Sequence, residues 1–240
     1  MSNQPESLSS SRSNKRPDTP TGLPSDVCDS IESWRVFCAI ELPSTVGARL
    51  TEQINRLKDR VPDTRASWNR DGKFHLTLKF IGEIPQARVE RVSSAADHAA
   101  RNFSPFTLIV EGAGVFPKSG TPKVLWLGIS DPFGQLNELQ ALLEQHCAQA
   151  GFAKEERSFH PHLTLARLRK PHGARMLAAV HKEMGFAAVE VQVAELLVIR
   201  SELSSQGSKY TIITRHPLQA PPGSARFQRA VTRKTLNSGS

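Results

Sequence analysis

Much that would settle a protein's class is missing from these 240 residues. The three cysteines, Cys28, Cys38 and Cys147, form no Cys-x-x-Cys pair, which argues against a disulfide framework or a zinc module and leaves reduced thiols. No hydrophobic run approaches the roughly 18 residues of a membrane span; even Val193–Ile199 is short and is followed by Arg200. A Gly-rich phosphate loop is absent too, which removes the usual dinucleotide-cofactor and NTPase readings. Met1–Thr21 lacks an apolar core and carries Glu6 and Asp18, so it reads neither as a secretory signal nor as an acid-poor transit peptide, and the expected address is the cytoplasm. What is present suffices for one folded unit, since 38% of the residues are hydrophobic, enough for a core at this length.

The formal net charge of +8 is unevenly spread. Residues 1–33 carry three basic and five acidic groups, residues 217–240 carry Arg226, Arg229, Arg233 and Lys234 with no acid, and the stretch between is left at +6. That excess suits an anionic partner such as RNA, and equally a solvated basic surface. Residues 1–33 and 219–240, with little to bury, are expected to be disordered tails around a domain at 34–218. The basic C-terminal tail would add nonspecific affinity for RNA.

Periodicity places four helices among the strands. Trp34–Leu42 has the apolar, β-branched and aromatic content of a strand, and Pro43-Ser44 is expected to stop it and cap a helix. That helix shows Val46, Leu50, Ile54, Leu57 and Val61 on one stripe and ends at Pro62. A second begins at Pro85 with Val89, Val92, Ala96 and Ala99 on its face. The third is capped by Asp131, starts at Pro132 and closes at Gly151, with Phe133, Leu136, Leu139, Leu143, Cys147 and Ala150 as its stripe. A fourth covers 172–184. Strands are expected at 74–81, 106–111, 124–129, 162–166, 189–199 and 210–215, the last two joined as an antiparallel hairpin through residues 204–208.

The informative feature is a repeat. His75-Leu76-Thr77-Leu78 recurs as His162-Leu163-Thr164-Leu165, each copy in a strand-like segment. With 8 His and 13 Thr in the chain, one His-x-Thr arises by chance about 0.4 times, so a single copy would say little; two in matched contexts say much more. Residues i and i+2 of a strand share a face, about 7 Å apart, so each His and Thr point together while the leucines anchor the other side. If two such strands lie side by side, two imidazoles and two hydroxyls converge, a set that suits a phosphodiester. A pair of imidazoles can take one proton and give another near neutral pH, and threonine hydroxyls can donate to non-bridging phosphate oxygens.

At this point the chain resembles a 2H phosphoesterase, and specifically the RNA 2′,3′-cyclic phosphodiesterase family, also called 2′-5′ RNA ligases. The resemblance spans about Arg35 to Leu218 and rests on the paired motifs together with Arg35–Pro43, the run His75–Gly82, Val124–Gly128, Phe159–Arg167 and Arg200–Leu203. It implies an α+β fold with two pseudo-symmetric lobes, each an antiparallel sheet with outer helices, flanking a central groove, so that 34–218 is the 2H phosphoesterase domain. It implies hydrolysis of an RNA terminal 2′,3′-cyclic phosphate to a 2′-phosphate without metal or other cofactor. His162 would be the general base and His75 the general acid, with Thr77, Thr164 and Arg167 binding the phosphate. The implied partners are RNA ends, tRNA fragments among them, acted on by a monomer with no membrane association. Strict alternation would turn Arg167 away from His162, so a strand end or bulge must re-aim it.

Other residues keep two readings. Phe80 matches a family position that stacks on the terminal base, whereas alternation puts it in the core with Leu76 and Leu78. Lys118 and Lys123 could contact an RNA backbone, but a solvated loop explains them better. His160 and His162 lack the acidic or cysteine partners of a metal site. His98, His146, His172, His181 and His216 are expected to have no partners and to serve packing or surface roles. The same catalytic set could join RNA ends through a 2′-5′ linkage, water's abundance making hydrolysis the default; a non-catalytic RNA-binding module would not require two proton-transfer groups.

Overall fold

The computed structural model describes residues 32–69, 74–204 and 207–219. The two expected tails, 1–33 and 219–240, lie almost wholly outside the described residues, as does Cys28. The chain order is β1 (Ser33–Glu41), α1 (Ser44–Arg60), β2 (Ala66–Trp68), β3 (His75–Pro85), a 3₁₀ turn (Gln86–Arg88), α2 (Val89–Ala100), β4 (Phe106–Phe116), β5 (Val124–Ser130), α3 (Gln135–Gln149), β6 (His162–Leu168), α4 (Ala174–Met184), β7 (Val189–Val193), β8 (Glu195–Ser204) and β9 (Gly207–Pro217). The helices form where the 3.6-residue stripe is apolar: Val46, Leu50, Ile54 and Leu57 of α1 and Leu136, Leu139, Leu143 and Cys147 of α3 are all buried.

One sheet runs β3-β1-β8-β9 and the other β2-β6-β5-β4-β7, with every neighbouring pair antiparallel. Matched position by position, β3 answers to β6, β1 to β5, β8 to β4 and β9 to β7, and β2 is one extra strand on the second sheet's edge. Two sheets of one plan, with four helices, give the expected α+β architecture. Yet neither sheet is built from one half of the sequence. β4 crosses to lie beside β5, and β8 crosses back to lie beside β1.

The helices are exchanged as well. Arg49 and Gln53 of α1 donate to the carbonyls of Ala187 and Gly185, just after α4, at 3.2 and 2.8 Å. Arg88, at the start of α2, donates to the Gly151 carbonyl after α3 at 3.0 Å and lies over the Phe152 ring. Cys38 and Cys147 are buried free thiols whose pKa values burial pushes up, that of Cys147 to about 11, so they serve as small core side chains.

Three expectations need correction. Residues 189–199 are not one strand: β7 ends at Val193 in the second sheet and β8 begins at Glu195 in the first, with exposed Ala194 between them. Helix starts also shift. Pro43, not Ser44, is the N-cap of α1, and no side chain caps it; Pro85 closes β3 ahead of the 3₁₀ turn. α3 begins at Gln135 with Gly134, not Asp131, as its N-cap, after a turn that leaves Phe133 exposed; Asp131 nevertheless reaches the first turn, its Oδ2 accepting from the backbone N–H of Leu136 at 2.9 Å and of Asn137 at 3.3 Å. The hairpin of β8 and β9 is tighter than expected, pairing out to Ser204 and Gly207.

Candidate active site

In β3, Leu76 and Leu78 are buried while His75 and Thr77 are half-buried on the opposite face, the alternation that a pleated strand imposes. The alternation then breaks. Ala39 of β1 pairs with Thr77 but Cys38 pairs with Lys79, so Leu78 is the extra residue of a bulge. A bulge inverts the faces of the residues beyond it. Lys79 is thereby turned into the core at 4% relative exposure, and Phe80, paired with Phe37, is turned out at 59%. The core reading of Phe80 by simple alternation is therefore overturned, and the physical reason is this single inserted residue.

β6 repeats the device. Leu125 pairs with Ala166 but Trp126 pairs with Thr164, which leaves Leu165 as the extra residue. His162 and Thr164 are half-buried; Leu163, Leu165, Ala166 and Leu168 are buried; Arg167 is exposed. The bulge thus sets Arg167 on the face of His162 and Thr164. Each bulge falls at the fourth residue of its motif, so Phe80 and Arg167 occupy equivalent places, five residues after their histidines.

A strand invisible to periodicity secures the second bulge. Three-residue β2 pairs with β6, Ser67 opposite Arg167 and Trp68 opposite Ala166. Asn69, next along the chain, donates its backbone N–H to the Leu165 carbonyl at 2.8 Å and its Nδ2 to the Thr164 carbonyl at 3.3 Å. It therefore holds both residues of the irregular step. No sequence signal marked Asn69.

The two imidazoles sit among different neighbours. His75 packs its ring 4.8 Å from Phe37 and 4.8 Å, edge-on, from Tyr210. Phe37, Ala39, Leu197 and Ile199 form a small buried cluster on that face of the first sheet. His162 lies edge-on to Phe116 at 5.1 Å and 6.4 Å from Trp126. Gly114, opposite Trp126, leaves room for this indole, since a Cβ there would come 2.1 Å from Trp126 Cζ2.

His162 Nδ1 is 2.7 Å from the His160 carbonyl oxygen. A carbonyl only accepts, so Nδ1 carries the hydrogen and the lone pair of the neutral ring is on Nε2. Burial lowers the His162 pKa; the His160 hydrogen bond opposes the shift, and the charge of nearby Arg167 reinforces it. The ring is therefore neutral near pH 7.

Lys79 donates to Glu144 Oε1 of α3 at 2.6 Å and to the Ala153 carbonyl at 2.8 Å, and the same Glu144 oxygen accepts from the Glu155 backbone N–H at 2.6 Å. This tethers the segment that leads to β6. β3 and β6 belong to different sheets yet approach with Cα atoms within 8 Å. Among the other histidines, the expectation of no partners fails: His181 Nε2 is 3.0 Å from the Trp126 carbonyl oxygen, His216 Nε2 is 2.8 Å from Thr214 Oγ1, and His98 Nδ1 is 2.7 Å from the Ser94 carbonyl oxygen.

The sequence of residues 43–204 matches the description of the 2′-5′ RNA ligase superfamily. The chain is 31% identical over 180 residues to an RNA 2′,3′-cyclic phosphodiesterase of Methanothermobacter thermautotrophicus, covering 74% of this chain and 95% of that one. A crystal structure from Thermus thermophilus is similar with a TM-score of 0.64 at 28% identity, over 78% of this chain and 98% of its own. Escherichia coli LigT, crystallised with 3′-AMP, gives a TM-score of 0.59 at 26% identity over 78% of this chain and 99% of its own.

Proposed function

The chain belongs to the 2′-5′ RNA ligase superfamily, and on that premise we propose that it hydrolyses the 2′,3′-cyclic phosphate at an RNA end to a 2′-phosphate. Water attacks phosphorus in line, the P–O3′ bond breaks, and the 3′ oxygen leaves as a hydroxyl. The observation that carries the reading is the state of His162: its Nδ1 hydrogen is committed to the His160 carbonyl, and burial holds the ring neutral. Its Nε2 lone pair is thus free to take the proton of the attacking water.

His75, the matching imidazole of the other strand, gives a proton to the departing oxygen. Thr77 and Thr164 donate to the non-bridging oxygens, where charge gathers in the transition state, and Arg167 adds a charge-assisted bond. Both proton transfers fall to side chains of this protein, so no cofactor enters the scheme. The complex of a relative with 3′-AMP accords with a nucleotide end as the ligand, and we extend it to RNA ends, tRNA fragments included, processed by a cytoplasmic monomer whose domain at 34–218 carries the activity.

The test is an RNA ending in a 2′,3′-cyclic phosphate, incubated in excess EDTA, with its end group identified by phosphorus NMR. A 2′-phosphate is expected. A 3′-phosphate, or no turnover by folded protein, would overturn the reading.

A further inference from the structure

On the strands of the first sheet three of five lysines and arginines are ion-paired, and Arg35 and Lys209 form no ion pair among the described residues. Arg200 pairs with Glu32 at 3.1 Å and Glu202 at 3.4 Å, Arg215 pairs with Glu41 and Glu195, and Lys79 is buried against Glu144. On the second, β6 runs out at Leu168 where β2 and β5 begin and β4 ends, because all these neighbours are antiparallel. Gathered at that end are Arg65, Lys118, Lys123, Arg167, Arg169 and Lys170, all exposed. None of the six forms an ion pair among the described residues. No Asp or Glu occurs within 65–69, 117–124 or 167–175.

The backbone fixes their nearness. Leu168 pairs with Ala66 and donates its N–H to the Lys123 carbonyl at 2.8 Å, so Arg65, Arg169 and Lys123 adjoin paired residues on three neighbouring strands, about 5 Å apart. Six cations side by side, with no acidic partner among the described residues, repel one another, a cost that a polyanion would remove. The row is continuous with the site, since Thr164 and Arg167 lie on β6 and Arg169 and Lys170 directly follow its last residue, Leu168.

We propose that this end of the second sheet binds the phosphates of single-stranded RNA 5′ to the reacting end, so that the preferred substrate is an oligonucleotide and not a cyclic mononucleotide. The inference rests on the hydrolase reading above and deepens it. Lys118 and Lys123, better explained from sequence as solvated loop residues, become part of a surface once β6 and β2 place four more cations beside them. Contact is with backbone charge, so affinity depends on salt and little on base identity.

The test compares the full chain with its Lys123→Gln/Arg169→Gln/Lys170→Gln variant on a cyclic mononucleotide and on a ten-nucleotide RNA with a 2′,3′-cyclic end. On the RNA, kcat/KM of the variant should fall at least tenfold through KM. The slope of log affinity against log salt should shrink by about 2, three charges at roughly 0.7 each. Mononucleotide turnover should stay within twofold, which also reports intact folding. Equal loss on both substrates, or no loss on the RNA, would overturn the surface. Binding of a ten-nucleotide RNA with a plain 3′-hydroxyl, measured by fluorescence anisotropy, separates the two ideas: salt-sensitive binding weakened in the variant, by a protein that hydrolyses nothing, would sink the hydrolase and keep the surface.

Discussion

The two motif strands differ less in how they are built than in what they deliver. Each presents a His and a Thr, each has its bulge at the second leucine, and each then aims the fifth residue after its histidine toward the histidine's face. In β3 that residue is a phenyl ring amid aromatic neighbours, Phe37 at 6.0 Å and, beyond it, Tyr210. In β6 it is a guanidinium at the edge of a cationic row. Symmetry of backbone thus presents two imidazoles, the proposed proton-transfer groups, and asymmetry of side chain gives the site a direction, with an apolar side suited to a base and a charged side suited to phosphates.

The largest effects should come from removing the symmetric pair. His75→Ala and His162→Ala are each expected to lower kcat by about 10²–10⁴, measured by end-group analysis. They should differ in pH dependence. A base must be unprotonated to act, and the His162 pKa is lowered below its ordinary 6.5, so the wild-type rate should rise through a pH below 6.5 and then fall at higher pH, where the acid no longer holds its proton. His162→Ala should flatten that acid limb while His75→Ala keeps it. An acid limb that survives in His162→Ala would exchange the roles of the two halves.

Next comes the inward position behind each bulge, Lys79 in one half and Ala166 in the other. Lys79→Met makes the halves alike but leaves half-buried Glu144 without its cation, with only the Glu155 N–H on Oε1 and an Oε2 that already lacks a partner. Stability should drop by about 3–5 kcal/mol in denaturant unfolding. Lys79→Met/Glu144→Leu should recover most of it, and no recovery would remove the ion pair as the cause.

The outward positions sharpen the comparison further. Arg167→Gln should cost about 10–100-fold in kcat/KM on any cyclic phosphate, the worth of a hydrogen bond to a charged group. Phe80→Ala should cost about 5–100-fold only where a base is present to stack, and nothing on a cyclic phosphate of a base-free diol. A uniform loss for both variants would dissolve the division between an apolar and a charged side. Smallest is Asn69→Ala, which leaves the backbone clamp but loses the side-chain one. A decrease of about 3–10-fold is expected, with about 1 kcal/mol of stability. Combined with Arg167→Gln it should add little activity loss, because Asn69 acts through Arg167.

The candidate residues of this site were legible from sequence, and the architecture less so. His75, Thr77, His162 and Thr164 announce themselves because a four-residue string occurs twice and period 2 sets its faces. The need for something to re-aim Arg167 was also visible, since parity alone turned it away. That the same device buries Lys79 and exposes Phe80 was not visible, because a bulge leaves no composition of its own; Leu78 looks like any core leucine. Ala194 was hidden for a different reason, as a continuous apolar stretch records burial and not which sheet does the burying. β2 is too short for any periodicity, and Asn69 acts through backbone carbonyls that sequence does not display.

The crossing of β8 into the first sheet has a consequence for the chain as it is made. β1 is synthesised ahead of β3, its neighbour on one edge, but its other edge has no partner until residues 195–204 emerge. An uncovered edge strand is a template for pairing with other chains. Between the synthesis of β3 and that of β8, then, the strand that holds His75 has only β1 as a partner in its sheet, and the sheet is extended on the far side of β1 only when β8 comes back to it.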